Sequence, residues 1–419
     1  MTDDGLIYDW NTAGDFLFPP GRKITLDDET LRDGLQNPSV HNPTIEEKIE
    51  ILHLMESLGI ESANIGLPAA GPRAYADAEA LAVEIARSRM KIRPNCAART
   101  VEDDIRPVAK ISQRAGIAVE VGMFLGSSPI RRLVEGWTVD FLLRTTENAV
   151  RFGVAQELPV MYVTEDTTRT DASTVEALYS AAIRCGARAI VLCDTVGHAT
   201  PMGAYNLVKF AREKIVAPSG QSIRVDWHGH CDRGLAIANS FAAIAAGADQ
   251  VQSVANSLGE RVGNTPTELM LVNMQLLGMI DRDLSKLRQF SEAVARATHT
   301  VIPPNYPVVG RDAFRTATGV HAAALIKAQR MGDAALADAV YSGVPASLFG
   351  LEQIIEVGPM SGKSNVLHWM HRHGILPSDE TAQRVLDAAK LASTVLTDEA
   401  NSAPLRPRVT ADTGTSLAL

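Results

Sequence analysis

The feature that most restricts how this chain can fold is a rhythm. Eight times between residues 24 and 279 an extended, apolar stretch is followed by a run with helical spacing. The stretches are 24–34 (ITLDDETLRDG), 61–69, 91–99, 117–126, 158–166, 188–197, 222–230 (SIRVDWHGH) and 249–260. Helical runs follow at 45–59, 73–88, 101–114 and 138–151, after the fifth and sixth strands, from Arg233 onward, and at 266–279. Eight strand-then-helix units in about 250 residues match a (β/α)8 barrel in count and length. A doubly wound open sheet would carry fewer strands and a glycine-rich phosphate turn after the first strand, and that turn is missing here.

The expected organisation is α/β, a (β/α)8 TIM barrel followed by a smaller, mainly helical C-terminal lid subdomain. Residues 1–22 read as an irregular lead-in and 23–280 as the catalytic barrel. Residues 281–309 read as a helix and a linker marked by Pro303, Pro304 and Pro307. A C-terminal subdomain is expected over 310–397, and a disordered, Pro-, Thr- and Ser-rich tail over 398–419. A net charge of −9 without a basic stripe argues against a nucleic-acid partner. No apolar run reaches membrane-spanning length and the N-terminus lacks a basic signal region, so a cytoplasmic protein is expected. The four cysteines show no CxxC spacing, as suits a reducing compartment.

All strand C-termini of such a barrel open onto one face, where polar residues distant in sequence become neighbours. The first strand delivers Arg32 and Asp33, the fifth Glu165 and Asp166, and the sixth Asp194 and Thr195. The seventh delivers His228 and His230, and the eighth leads into Glu260, Arg261 and Asn264. Histidines at i and i+2 on an extended segment share a side, so one divalent ion can take a nitrogen from each. Two solvent-facing loop histidines would produce the same spacing. An aspartate, two histidines and an asparagine carbonyl form a mixed N/O set suited to Mg²⁺, Mn²⁺, Fe²⁺ or Zn²⁺. Cys231 lies beside the pair as a further possible ligand, although a small buried hydrophobe is the usual role of cysteine.

The motifs LDDETLRDG, LPAAGP, CAART, VTEDTTRT, CDTVGHATP, HGHCDRGLAIANS and SLGERVGNTPTE succeed one another at these strand ends. Together they resemble the DRE-TIM metallolyase superfamily, specifically its Claisen-condensing branch of 2-isopropylmalate, homocitrate and citramalate synthases. The resemblance is clear over residues 22–280 and looser over 305–370. It implies that Asp33, His228, His230 and Asn264 hold a divalent metal (Mg, Mn or Zn). It implies that Arg32 faces the reacting carbonyl, that Glu165 is an acid/base, and that Thr195, with Asp194, meets the oxo acid. In the second unit, GVHAAALIK implies a catalytic His321 with Tyr341 as its partner. That unit reaches over the barrel mouth of a neighbouring subunit in the family, which implies a homodimer.

The reaction so implied is condensation of acetyl-CoA, the co-substrate, with a 2-oxo acid, followed by thioester hydrolysis (an EC 2.3.3 acyltransferase of amino-acid biosynthesis). The expected protein is most like 2-isopropylmalate synthase without the leucine regulatory domain. Several residues depart from the pattern. GLQN after Asp33 is closer to hydroxymethylglutaryl-CoA lyases, whereas GERVGN at 259–264 is synthase-like. Asn64 stands where many synthases carry Glu, Arg131 stands where a His is often found, and EVGPMSGKSN leaves the roles of Ser361 and Lys363 open. A homocitrate- or citramalate-type synthase, a retro-Claisen lyase and an inactive barrel scaffold are the alternatives.

Overall fold

The strands of this chain are short and buried along almost their whole length, as parallel strands must be when helices cover one face and a barrel interior the other. In the computed structural model, which describes residues 6–11, 18 and 22–405, the first strands are β1 (Thr25–Asp28), β2 (Ser62–Asn64), β3 (Arg93–Arg99) and β4 (Glu120–Gly126). They continue as β5 (Val160–Glu165), β6 (Ala189–Asp194), β7 (Arg224–Gly229) and β8 (Gln250–Ser253). Every neighbour pair is parallel, and β8 returns to β1 with Gln252 opposite Asp27, which closes the barrel. The eight-strand barrel expected from the rhythm is therefore the fold.

Local chemistry explains where its helices begin. Thr44 and Glu47 form a reciprocal capping box at the first helix, Ile45–Ser57, a device that stabilises a helix by about 1 kcal/mol. Asp171 and Thr200 cap the helices starting at Ala172 and Pro201 in the simpler way. Two features differ from expectation. A short helix, Pro129–Glu135, precedes the expected one after β4 because Ser128 caps it and Pro129 occupies its first turn. The helix Leu287–Thr298, expected as a helix between the barrel and the linker, belongs to the barrel unit, which spans Asp9–Ile302. Phe290, Val294 and Ala297 on its inner face are fully or almost fully buried.

The lower barrel interior is polar and tightly paired. Arg224 bonds Glu120 at 2.8 Å and Asp226 at 2.8 Å. Gln250 donates to Asp226, and Asn95 donates to Asp27 at 2.7 Å. Asp27 is wholly buried without a cation of its own. Burial, with Glu29 and Asp226 nearby, pushes its carboxyl up to about 8.

A second unit takes the described residues 303–405 together with 6–8. Its helices include Gly319–Arg330, Ala334–Ala339, Lys363–Arg372 and Asp379–Leu391. A parallel strand pair joins them, Arg315–Thr316 with Ile354–Ile355. One of its apolar clusters is built on Ala322, Leu325 and Ile355, another on Val366, Trp369, Met370 and Val385. The first residues of the tail expected to be disordered from residue 398 are ordered. Asp398–Ser402 is a helix capped by Thr397, and Asp398 accepts a bond from the Trp369 indole. The rest of that tail, 406–419, lies outside the described residues, as does most of the lead-in. Of the lead-in, residues 6–11, 18 and 22 are described and carry no helix or strand. Among the described residues no helix is long and apolar enough to cross a membrane.

The Asp27 carboxyl generates a pH prediction. Ionised above about 4 when unfolded, but neutral up to about 8 when folded, it withdraws stability progressively across that window. Asp27→Asn should therefore gain melting temperature over wild type as pH rises from 5 to 8, by on the order of several degrees. Calorimetry at both pH values checks this; a pH-independent difference contradicts the neutral carboxyl.

Candidate metal centre and substrate cavity

Immediately after β1 the chain turns back on itself. Asp28 accepts bonds from the Thr30 amide and the Thr267 hydroxyl, and the Glu29 carbonyl accepts from the amides of Arg32 and Gly34. This tight turn presents Glu29, Arg32 and Asp33 at the C-terminal mouth of the barrel. Two strands along the barrel, His228 lies at the end of β7, and His230 forms a short antiparallel bridge with Asn264.

The two histidine rings meet as their spacing predicts, with the Nε2 atoms 3.1 Å apart. Asp33 Oδ2 lies 3.6 Å from one of these nitrogens and 3.9 Å from the other. Two imidazole lone pairs this close repel unless a proton or a cation lies between them. Asn264 donates from Nδ2 to Asp33 at 2.6 Å, while its Oδ1 is buried without a partner. An orphaned amide oxygen, two facing ring nitrogens and a carboxylate constitute a donor set that fits a divalent ion. Asp33, His228 and His230 are each at least nine-tenths buried. Burial, followed by the neighbouring His228, pushes His230 down to about 4, which keeps a lone pair on its ring. At His228 burial also acts downward, but the Glu29 and Asp33 carboxylates outweigh it and the pKa rises.

Arg32 pairs with Glu29 through Nη2 and with Asp33 at 2.9 Å through Nη1. Burial opposes both the Arg32 cation and the Glu29 anion. Mutual attraction prevails, so the arginine lies above its usual range and the glutamate below. These groups line a cavity of about 250 Å³, whose inner wall is apolar: Leu67, Ala97, Phe124, Met161 and Val163. Glu165, Thr195 and Glu260 line it as well. Burial raises the Glu165 pKa despite the opposing Arg131 charge, and this moves the carboxyl toward the range useful for proton exchange.

One expected role needs correction, and the positions of Cys231, Arg131 and Arg132 are settled by their partners. Asp194 does not face the cavity. It is fully buried, and its Oδ1 accepts from Thr168 Oγ1 and from the amides of His198 and Ala199. It anchors the loop that carries Thr195, and a strand-end carboxylate with free amides nearby satisfies them first. Cys231 turns away from the histidine pair to Ser257 Oγ and the Asn264 carbonyl. Arg131 pairs with Glu135 at 3.2 Å and Arg132 with Asp171 at 3.1 Å, so neither forms the cavity wall. In the second unit, Ser361 ties its turn to the Ala317 carbonyl and Lys363 pairs with Asp379, both structural roles. There the rings of His321 and Tyr341 stack with centroids 4.2 Å apart, and Tyr341 is 53% exposed.

Sequence reasoning passed over Glu29 and Gln252. His228 Nδ1 lies 2.8 Å from Glu29 Oε2 and 3.1 Å from Gln252 Oε1, and Asn64 donates to Glu29 at 3.1 Å. For Glu29 a signal existed: it precedes Arg32 by three residues in a turn, the spacing of an ion pair on one side of a helical turn. For Gln252, the alternation of strand β8 would have shown only that it faces inward.

The loop carrying Asn264 depends on two glycines. Gly259 has φ 125°, and a Cβ there would lie 2.0 Å from Asn264 Oδ1; at Gly263 (φ 89°) a Cβ would lie 1.6 Å from the Ser257 carbonyl oxygen. Gly259→Ala should accordingly displace the Asn264 amide and weaken Mn²⁺ binding about tenfold or more. Calorimetric titration with Mn²⁺ measures this, and unchanged affinity contradicts a role for Asn264 at the centre.

Comparison with known proteins places this geometry. A family model described as HMGL-like matches residues 23–294. A 2-isopropylmalate synthase of Pyrococcus abyssi is 33% identical over 318 residues, 73% of this chain and 63% of that protein. The chain thus spans less than two thirds of that relative's length. The homocitrate synthase AksA of Methanopyrus kandleri is 30% identical over 371 residues, 88% of this chain and 87% of that protein. Among solved structures, the Bacillus subtilis HMG-CoA lyase superposes with a TM-score of 0.57 at 20% identity, over 68% of this chain and 96% of the lyase. That likeness concerns the barrel fold alone.

Proposed function

From the premise that the chain belongs to the HMGL-like family, we propose that it is a metal-dependent acyl-CoA:2-oxo acid C-acyltransferase that condenses acetyl-CoA with an aliphatic, monocarboxylic 2-oxo acid. The observation that carries the choice of substrate is the cavity wall. Beyond the donor set, it offers Leu67, Ala97, Phe124 and Val163, and its one cation, Arg32, is already matched by Glu29 and Asp33. A second substrate carboxylate would find Glu165 and Glu260 rather than an arginine, a contact that like charge disfavours. This supports a 2-isopropylmalate-type reaction over a homocitrate-type one. Relatives named for both reactions are compatible with the condensing chemistry itself.

In this reading Asp33, His228, His230 and the Asn264 carbonyl would hold Mg²⁺, Mn²⁺ or Zn²⁺, which when bound supplies Lewis-acid polarisation to the oxo acid. Arg32 donates toward the keto oxygen as negative charge develops there, a role that typically contributes several kcal/mol at a preorganised site. Thr195, held by its hydroxyl to the Asp166 amide at 2.8 Å, orients the oxo acid carboxylate. Glu165, with its raised pKa, exchanges the proton lost from the acetyl methyl group. The resulting carbanion forms the new C–C bond at the keto carbon, the alkoxide takes up a proton, and water cleaves the thioester to release CoA. The stacked His321–Tyr341 pair is a second proton carrier. We assign it, with the subdomain at 310–397, to the barrel mouth of a second copy in a homodimer.

The test is thiol release from acetyl-CoA with a panel of 2-oxo acids and added divalent metal. 2-Oxoisovalerate or a similar branched acid should exceed 2-oxoglutarate by about tenfold or more. Arg32→Ala should lower turnover at least ~100-fold while preserving metal binding. Faster release with 2-oxoglutarate overturns the substrate assignment. Cleavage of a 3-hydroxyacyl-CoA without oxo-acid-dependent release overturns the condensing reaction.

A further inference from the structure

We propose that Glu29 is a positioning residue for the metal centre. Held on one oxygen by Arg32 and Asn64, its carboxylate brings the other to 2.8 Å from His228 Nδ1, beside the Gln252 Oε1 that accepts from that nitrogen, and this charge keeps the ring proton on Nδ1 so that the Nε2 lone pair turns toward Asp33 and His230. The inference rests on the metal-centre reading above and deepens it.

The His228 ring has two different sides. Nε2 faces His230 Nε2 at 3.1 Å and Asp33 Oδ2 at 3.6 Å, the side where a cation would sit. Nδ1 faces Glu29 Oε2 at 2.8 Å and Gln252 Oε1 at 3.1 Å. A neutral imidazole has one proton, and the better acceptor decides which nitrogen carries it. The hydrogen bond itself runs to Gln252 Oε1, whose amide group is spent on Asp27. Glu29 Oε2 lies nearer and is ionised, and its negative charge beside Nδ1 favours the proton on that nitrogen. Glu29 is 1% exposed, so water cannot substitute for it.

The same carboxylate also restricts the arginine. Its Oε1 accepts from Arg32 Nη2 and from Asn64 Nδ2 at 3.1 Å. One buried group therefore sets both the donor nitrogen of a ligand and the orientation of the cation aimed at the substrate. Glutamine of the same size cannot do both. With its NH₂ toward His228 it drives the ring proton onto Nε2, where the lone pair is needed. With its NH₂ toward Arg32 and Asn64 it sets donor against donors.

Glu29→Gln should therefore weaken Mn²⁺ binding about 10- to 100-fold, the range typical for losing such an outer partner of a ligating histidine. Gln252→Met, which removes the neutral acceptor and leaves the carboxylate 2.8 Å from Nδ1, should lose less affinity than Glu29→Gln. Isothermal titration of both full-length variants, with circular dichroism to confirm folding, reads this out. Unchanged Mn²⁺ affinity in Glu29→Gln, or a larger loss in Gln252→Met, overturns the assignment. A wild-type protein that binds no Mn²⁺ overturns the metal-centre reading itself, and this assignment with it. Should Glu29→Gln fail to fold, histidine-selective ¹⁵N NMR of the metal-free wild type at alkaline pH decides. A neutral His228 with its proton on Nδ1 is expected, and a proton on Nε2 overturns the proposal.

Discussion

The barrel mouth depends on a balance of buried charge around Arg32. Its guanidinium lies between Glu29 and Asp33 in a site with little access to water, and each partner has a second duty: Glu29 beside His228, Asp33 beside both histidines and Asn264. Buried charges of this kind are costly singly and tolerable only as a matched set. That is why the first turn after β1 is so heavily braced by Thr30 and Thr267 through Asp28. If the turn shifted, three charges would lose their partners together. Stability and chemistry are thus coupled at one place in the fold.

Below the mouth the barrel carries a second polar layer of Asp27, Asn95, Arg224, Asp226 and Gln250. Gln252 connects the two layers, reaching Asp27 with its amide and His228 with its oxygen. The apolar part of the cavity is confined to the sector formed by β2 to β5, where Leu67, Ala97, Phe124 and Val163 lie. The separation is chemical as well as spatial. The metal-facing groups come from β1, β7 and the loop after β8, and the apolar wall, with Glu165 at its edge, comes from β2 to β5.

Much of this was legible in the sequence, for identifiable reasons. Eight apolar stretches with helical intervals admit few architectures, and strand alternation alone brings His228 and His230 to one side. Asp33 and Asn264 joined them because barrel strand ends share a face. What escaped was whatever depends on competition for hydrogen bonds. Asp194 looked like a substrate contact, but three nearby donors claim its carboxylate. Cys231, two residues beyond β7, turned toward Ser257. Glu29 was overlooked because a glutamate in a turn has no distinguishing pattern until its neighbours are placed. The helix Pro129–Glu135 was hidden by its brevity, and the helix at Asp398 by the polar composition around it.

The central claim is that Asp33, His228 and His230 form a divalent-metal centre without sulfur. X-ray absorption spectroscopy of the Zn²⁺-loaded protein addresses it most directly. The account predicts a first shell of nitrogen and oxygen at about 2.0–2.2 Å, with outer-shell scattering from two imidazoles. A scattering shell at about 2.3 Å, the distance of a Zn–thiolate bond, or a shell lacking imidazole altogether, would contradict it.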